Sequence, residues 1–538
     1  MMAVGDVNGD GRDEVIGRRP MTAAALLLLA AMAGADMAGA KDAPVDIGSR
    51  RELFVDRALV ATLTGDARQV LHHPTPRETA LTLDAPWEGS GCGYISVFRD
   101  GDGGRYRMYY KAYHLATYAD KVGPRPDSYT CYAESRDGIT WTKPSLGLVD
   151  YKGSKENNIV LAHGPVPGAA RGVRIDAAHP AVFRDANPDA PADARYKALY
   201  LAGSPKGYGL MALKSADGFH WRALHPFPVI TKSDHGFDSQ NLAFWDPTAG
   251  LYRAYWRTKP KGFRDILTAT SKDFVHWTEP AALTYPGAPA EQLYTNVIKP
   301  YHRAPHILIG FPVRYVERRW SDEAFAHLPD LAHRIKRKNT SERFGAALTD
   351  ALLMTSRDGV TFRRWGEAFL RPGIQRPGTW AYGQQYLGWH AVETRSALPG
   401  APNELSLYAT ESYWTGTSSA FRRYTLRLDG FVSIQAGAAG GELITKPITF
   451  TGSTLRLNVS TSAAGSVRVE VQTPDGRPLP GFALADCIEV FGDDVDRAVT
   501  WKGGRDLRPM AGRPVRLRLV LRDADLYALR TGASGGKR

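Results

Sequence analysis

One phrase returns four times in this chain. Residues 135–141 read SRDGITW, 215–221 SADGFHW, 271–277 SKDFVHW and 356–362 SRDGVTF. Each copy closes a run of β-formers. In YTCYAESRDGITW, Tyr129, Cys131 and Ala133 alternate with Thr130, Tyr132 and Glu134, and the Asp-Gly pair then turns the chain. Ser and Asp side chains hold such a turn by bonding nearby backbone amides, so Asp137, Asp217, Asp273 and Asp358 read as structural. The closing Trp or Phe packs between sheets.

A second element precedes each copy: a hairpin with an aromatic-rich second strand, as in VFRDGDGGRYRMYYKAY and AFWDPTAGLYRAYWRT. Together the two elements make four strands per repeat. A fifth, degenerate unit follows, with YGQQYLGWHAVET, ELSLYATESYW and AFRRYTLRLDGFVSI. Four-stranded sheets repeated about an axis predict a five-bladed β-propeller with blades near residues 86–150, 174–230, 236–285, 292–370 and 378–432. Beyond them, alternating strands with Gly, Asn and Asp turns predict a β-sandwich. The expected fold is thus all-β. Residues 1–40 are an extension and export signal, 41–432 the propeller and 433–538 the sandwich. RELFVDRALVATLTG, near the start of the mature chain, is expected to add an edge strand to one of the two domains. A long basic insertion in blade 4, residues 317–350, reads as a surface excursion or a lid over the pocket.

The export signal rests on Arg18 and Arg19, the apolar run 22–33, and Ala38-Gly39-Ala40 as the cleavage site. It is too short to span a membrane, and a periplasmic or extracellular protein is expected. GDVNGDGRDEV (5–15) resembles a calcium loop but precedes the signal, so it is discounted. Three cysteines, Cys92, Cys131 and Cys487, leave room for a Cys92–Cys131 disulfide or three free thiols, and fit no zinc site. No cofactor is expected. The net charge is +12, with its densest cluster at 333–343, either a solvated loop or an attraction for an acidic or sulfated glycan. No aromatic-and-basic stripe marks a nucleic-acid partner.

A five-bladed propeller followed by a β-sandwich resembles the invertase and fructan-hydrolase family (glycoside hydrolase family 32) and its arabinanase and xylosidase relatives. SKDFVHW is similar to the serine–x–aspartate turns of those enzymes. The resemblance implies carboxylates at the starts of innermost strands, pointing into a central funnel, and a carbohydrate substrate. Glycosidic cleavage passes through a cationic sugar, and its leaving oxygen needs a proton. Carried over by position, it makes Glu88 (PWEGSG) the nucleophile or base and Asp238 (GFDSQN) the general acid, with Asp176 or Glu291 as third carboxylate. The family's tryptophan–x–asparagine–aspartate–proline phrase is absent around Glu88. His179 stands where the family has the aspartate of its arginine–aspartate–proline motif. Substrate contacts are expected from His179, Gln240, Asn241, Arg257, Tyr294, Asn296, Arg314 and Trp380, with Tyr382 beside the last. Arg257 and Arg314 suit a carboxylate or sulfate on the sugar. The expectation is a secreted glycoside hydrolase. A glycan-binding propeller without catalysis and a uronate lyase using His179, Tyr294 and Arg314 are its rivals.

Overall fold

The computed structural model describes residues 43–538, apart from 102–103, 235, 416–417 and 533–538. The calcium-like loop and the export signal lie outside the described residues.

Five antiparallel sheets follow one another along the chain. Blade 1 is built on Gly93–Arg99, Tyr106–Thr117 and Val122–Ser135, with Trp141–Thr142 and Ile159–Ala162 outermost. Blade 2 runs from Ala181–Arg184 through Tyr196–Ser204 and Gly207–Ser215 to Arg222–Ala223. Blade 3 is Leu242–Asp246, Leu251–Thr258, Asp265–Ser271 and Ala281–Ala282. Blade 4 is interrupted: its core strands, Lys299–Tyr301, Ala304–Gly310, Met354–Ser356 and Arg363–Arg364, continue into a separate three-stranded sheet. Blade 5 takes Val392–Thr394, Glu404–Glu411 and Ser419–Arg427 from late in the chain. Its outermost strand, Thr75–Leu83, comes from before blade 1, so the ring closes on itself.

The repeated phrase builds what the sequence reading assigned to it. In blade 1 the Ser135 hydroxyl accepts from the Gly138 amide at 2.8 Å, and Asp137 Oδ1 accepts from the Ile139 and Thr140 amides, both at 2.8 Å. Ser215 and Asp217, Ser271 and Asp273, and Ser356 and Asp358 repeat the pattern. The turn also faces the preceding blade. Gly138, Gly218 and Gly359 adopt φ of +73°, +85° and +82°, which favours glycine. Their carbonyls accept from the hydroxyls of Tyr408 in blade 5, Tyr109 in blade 1 and Tyr255 in blade 3, respectively. One phrase thus ends a strand and stitches neighbouring blades together.

Residues 45–71 depart from the expected boundary. Val45–Gly48, Arg51–Leu53, Val60–Gly65 and Arg68–Leu71 hydrogen-bond to Ile448–Phe450, Arg516–Gly532, Gly441–Thr445 and Val432–Ala436. They belong to the sheets of the C-terminal domain, not to the propeller, because Ile47, Phe54, Leu59 and Val60 complete its apolar core around Leu455, Trp501 and Leu519. The long strands Thr454–Gln472 and Arg516–Gly532 form the backbone of that sandwich. Buried Asp429, bonded to Arg51, Tyr301 and Arg303, ties it to blade 4.

The insertion of blade 4 forms helices Asp322–Ala326, Leu331–Thr340 and Glu342–Ala346. The basic cluster is not a solvated loop. Arg334 and Arg337 are 4% and 2% exposed, and they donate to the carbonyls of Trp380 and Tyr382 on the blade 5 loops. All three cysteines are buried free thiols, so Cys92 and Cys131 are not joined. Among the described residues no helix is long and apolar enough to cross a membrane.

Candidate functional site in the propeller funnel

All five innermost strands begin at the same mouth of the hub, and the loops entering them surround a cavity of about 360 Å³. Asp176 and His179 precede the first strand of blade 2, Asp238 that of blade 3, Tyr294 that of blade 4 and Tyr386 that of blade 5. Tyr94 lies at the start of the first strand of blade 1, and Lys111 and Tyr113 come from its second strand. The helical insertion contributes Arg343 and Phe344.

His179 lies between two carboxylates. Its Nε2 hydrogen-bonds Asp238 Oδ1 at 3.0 Å. Its Nδ1 lies 3.0 Å from Asp176 Oδ2, an ion-pair contact whose angle falls short of a hydrogen bond. Burial opposes a charged imidazole, but Asp176 and then Asp238 outweigh it and lift the pKa of His179 to about 9. Burial also opposes charge on the aspartates. His179, with further help from Lys111, holds both well below the usual carboxylate range. Asp238 lies deep in the funnel yet exposes 71% of its side chain to it, against 30% for Asp176. The phrase FDSQN explains this exposure. Ser239 donates to the Tyr294 carbonyl, Gln240 to the carbonyls of Ile95 and Pro180, and Asn241 to those of Phe237 and Ser239. The neighbours of Asp238 thus lock the loop against blades 1, 2 and 4 and leave its carboxylate facing the cavity.

The walls are aromatic and cationic. Lys111 lies 5.0 Å from the Tyr94 ring centroid and 4.7 Å from that of Tyr113. Arg257 stacks on Tyr294 at 4.6 Å, with Nη2 3.6 Å from Asp238 and a buried Nη1 that has no hydrogen-bond partner. Lys259, Arg264 and Arg343 add positive charge, so cations outnumber the two aspartates. Tyr382, Tyr386, Tyr413 and Trp414 complete the ring. Burial raises the pKa of Tyr94, Tyr382, Tyr386 and Tyr413, so their hydroxyls remain proton donors. Tyr94 and Trp414 adopt φ of +47° and +64°, left-handed conformations that side chains rarely take.

Of the sequence-derived residues, Asp176, His179, Asp238, Arg257, Tyr294 and Tyr382 line the cavity. Glu88 does not. It is fully buried in blade 1, where it accepts from Tyr110 at 2.5 Å and from Lys143 and the Ala85 amide at 2.9 Å. Glu291 is held by Arg314 and Arg364, and Arg314 also grips Asp350 at 2.7 Å, so both residues are spent on an ion network away from the funnel. Gln240, Asn241 and Asn296 bond backbone carbonyls, and Trp380 donates to Gly373. These are scaffold contacts and not cavity surface. Lys111, Tyr94, Tyr113, Arg264 and Tyr413 escaped the sequence reading. For all but Arg264 the one signal was the density of tyrosine in CGYIS, MYYKAY and ESYW.

No protein-family model and no curated protein matches this chain. Among solved structures it is similar to an N-acetylgalactosamine deacetylase from F. plautii, at 11% identity over 67% of this chain and 96% of that one, with a TM-score of 0.41. It is similar to an endo-arabinase from Bacteroides thetaiotaomicron, at 12% identity over 66% and 97%, with a TM-score of 0.37. It is also similar to a fructofuranosidase from Schwanniomyces occidentalis, at 13% identity over 86% and 97%, with a TM-score of 0.36. The sheet order described above carries the fold by itself. The three named activities differ from one another, and function has to be argued from the funnel.

Proposed function

We propose that the protein cleaves glycosidic bonds of an anionic poly- or oligosaccharide at this funnel, after export to the periplasm or cell exterior. The observation that carries the reading is Asp238, a carboxylate open to the cavity, kept ionised by His179 and Arg257 and ringed by tyrosines. This reverses the role expected from sequence. A carboxylate held far below neutrality is the anion that faces the developing sugar cation, not the acid that protonates the leaving oxygen. That proton comes from the N–H and O–H donors of the wall. Both ring nitrogens of His179 face aspartates. The donor left for the leaving oxygen is therefore a wall hydroxyl such as that of Tyr94, whose pKa is raised by burial and further by the Asp238 charge. Forming charge on the sugar consumes the field of Asp238, which weakens the hold on that proton as the bond breaks. A water then adds to the sugar cation and returns a proton to the wall. Asp176 braces the far side of the ring and is a positioning residue. Arg257 Nη1, Lys111 and Arg264 take a carboxylate or sulfate on the sugar, and tyrosine faces pack against its ring.

The excess of cations favours one further reading, a lyase. There Arg257 and Lys111 neutralise a uronate and a wall residue removes the neighbouring proton. A panel of neutral, uronate-containing and sulfated glycans, read for reducing ends and for ultraviolet absorbance, tests both readings. New reducing ends without absorbance support hydrolysis. Absorbance from a new double bond replaces hydrolysis by elimination. Saturable binding with neither product, in wild type and Asp238→Asn alike, removes catalysis.

A further inference from the structure

The innermost strands of blades 1, 4 and 5, which begin at the funnel, end at a second cavity of about 740 Å³, lined by those three blades at the opposite end of the strands. Tyr94 and Arg99 mark the two ends of one strand of blade 1. Blade 4 likewise gives Tyr294 to the first cavity and Lys299 to the second, and blade 5 gives Tyr386 and His390.

Lys299 is the unusual group. It lies over the Trp389 ring at 5.5 Å, and no carboxylate among the described residues pairs with it. The two acidic residues of this cavity are engaged elsewhere. Glu393 is bonded to Asn403 and His302, and Asp137 holds its own turn. Burial alone accounts for the fall in the pKa of Lys299 to about 8, as expected of an ammonium without a counterion. His390 also lines the cavity, is 4% exposed, and has an Nε2 without a hydrogen-bond partner. Exposed Arg99, Arg136 and Arg395 add positive charge around these groups. A half-buried cation without a counterion and a buried polar nitrogen without a partner are costly unless something completes them. The volume is of the size that takes a small molecule.

We propose that this cavity is a second binding site, for a small carboxylate or phosphate whose oxygens meet the Lys299 ammonium and whose hydroxyl meets His390 Nε2. A sugar acid and hydrogen phosphate share that chemistry. The site does not depend on the reaction assigned to the funnel.

The test is calorimetric titration of the full chain with sodium glucuronate and, separately, inorganic phosphate. It uses wild type, Lys299→Met, His390→Asn and Arg257→Gln. Binding of at least one probe is expected in wild type, persisting in Arg257→Gln and weakened at least tenfold in Lys299→Met. Which probe binds tells a sugar acid from phosphate. The bound probe should raise the melting temperature of wild type and leave that of Lys299→Met unmoved, while Lys299→Met without probe should melt no lower than wild type. Should Lys299→Met not fold, His390→Asn serves in its place. Absence of binding by either probe in wild type overturns the site, as does unchanged affinity in both Lys299→Met and His390→Asn.

Discussion

Glu88 and Asp238 are both acidic residues just ahead of an innermost strand, and sequence position nominates both, although the family's phrase is missing around Glu88. The fold treats them in opposite ways. Glu88 is sealed in blade 1 with Lys143 and Tyr110, every oxygen engaged. Asp238 is held from behind by His179 and Arg257 and exposes most of its carboxylate to a cavity. A carboxylate surrounded by its own protein's donors holds structure, whereas one with an open face can act on something else.

The contrast can be broken at several points. The largest effect is expected from Asp238→Asn: a loss of about 10²–10⁴-fold in kcat on the substrate found by the glycan panel. Its melting temperature should fall, since Asp238 also supplies part of the stability of the His179 cluster, but by less than that of Glu88→Ala. Equal activity would make Asp238 no different from Glu88. Glu88→Ala should do the reverse. Lys143 keeps Asp84 and the Thr82 carbonyl, but leaving the buried Tyr110 hydroxyl and the Ala85 amide without their acceptor is expected to cost about 2 kcal/mol of stability in denaturant melts. The fraction that remains folded should keep its kcat.

The His179 cluster should show as pH-dependent stability. The pKa of His179 rises from 6.5 to about 9 on folding, so its contribution is complete below pH 6.5 and disappears as pH climbs through about 9. At most about 3 kcal/mol should be lost across that window, and His179→Asn should flatten the profile there. The two aspartates, depressed on folding, act at the other end, and their contribution is lost in acid. The smallest effect tests the blade stitches. Tyr109→Phe removes one buried hydrogen bond to the Gly218 carbonyl and should cost about 1 kcal/mol by thermal melting, with kcat unchanged.

How far the sequence could be read follows from the range of the interactions. The four Ser-x-Asp turns are satisfied within a few residues of chain, so their phrase, strand ends and structural aspartates were legible in advance. The closing strand Thr75–Leu83 was not. Its pairing with Ser419–Arg427 spans most of the chain, and nothing local distinguishes an outer strand of blade 5 from a sandwich edge. The same holds for residues 45–71, whose alternation fits either domain until a partner is known. Asp176, His179 and Asp238 could be nominated because they lie at strand entrances. Whether such a residue faces water or another side chain is set by neighbours from other blades.

The sequence by itself determined a repeated four-stranded unit, because a β-turn and an alternating strand are encoded within a dozen residues. Tertiary structure alone decided which carboxylates are free to react. Exposure and pKa are properties of all the groups that converge on a point, and at the mouth of this hub those groups come from every blade.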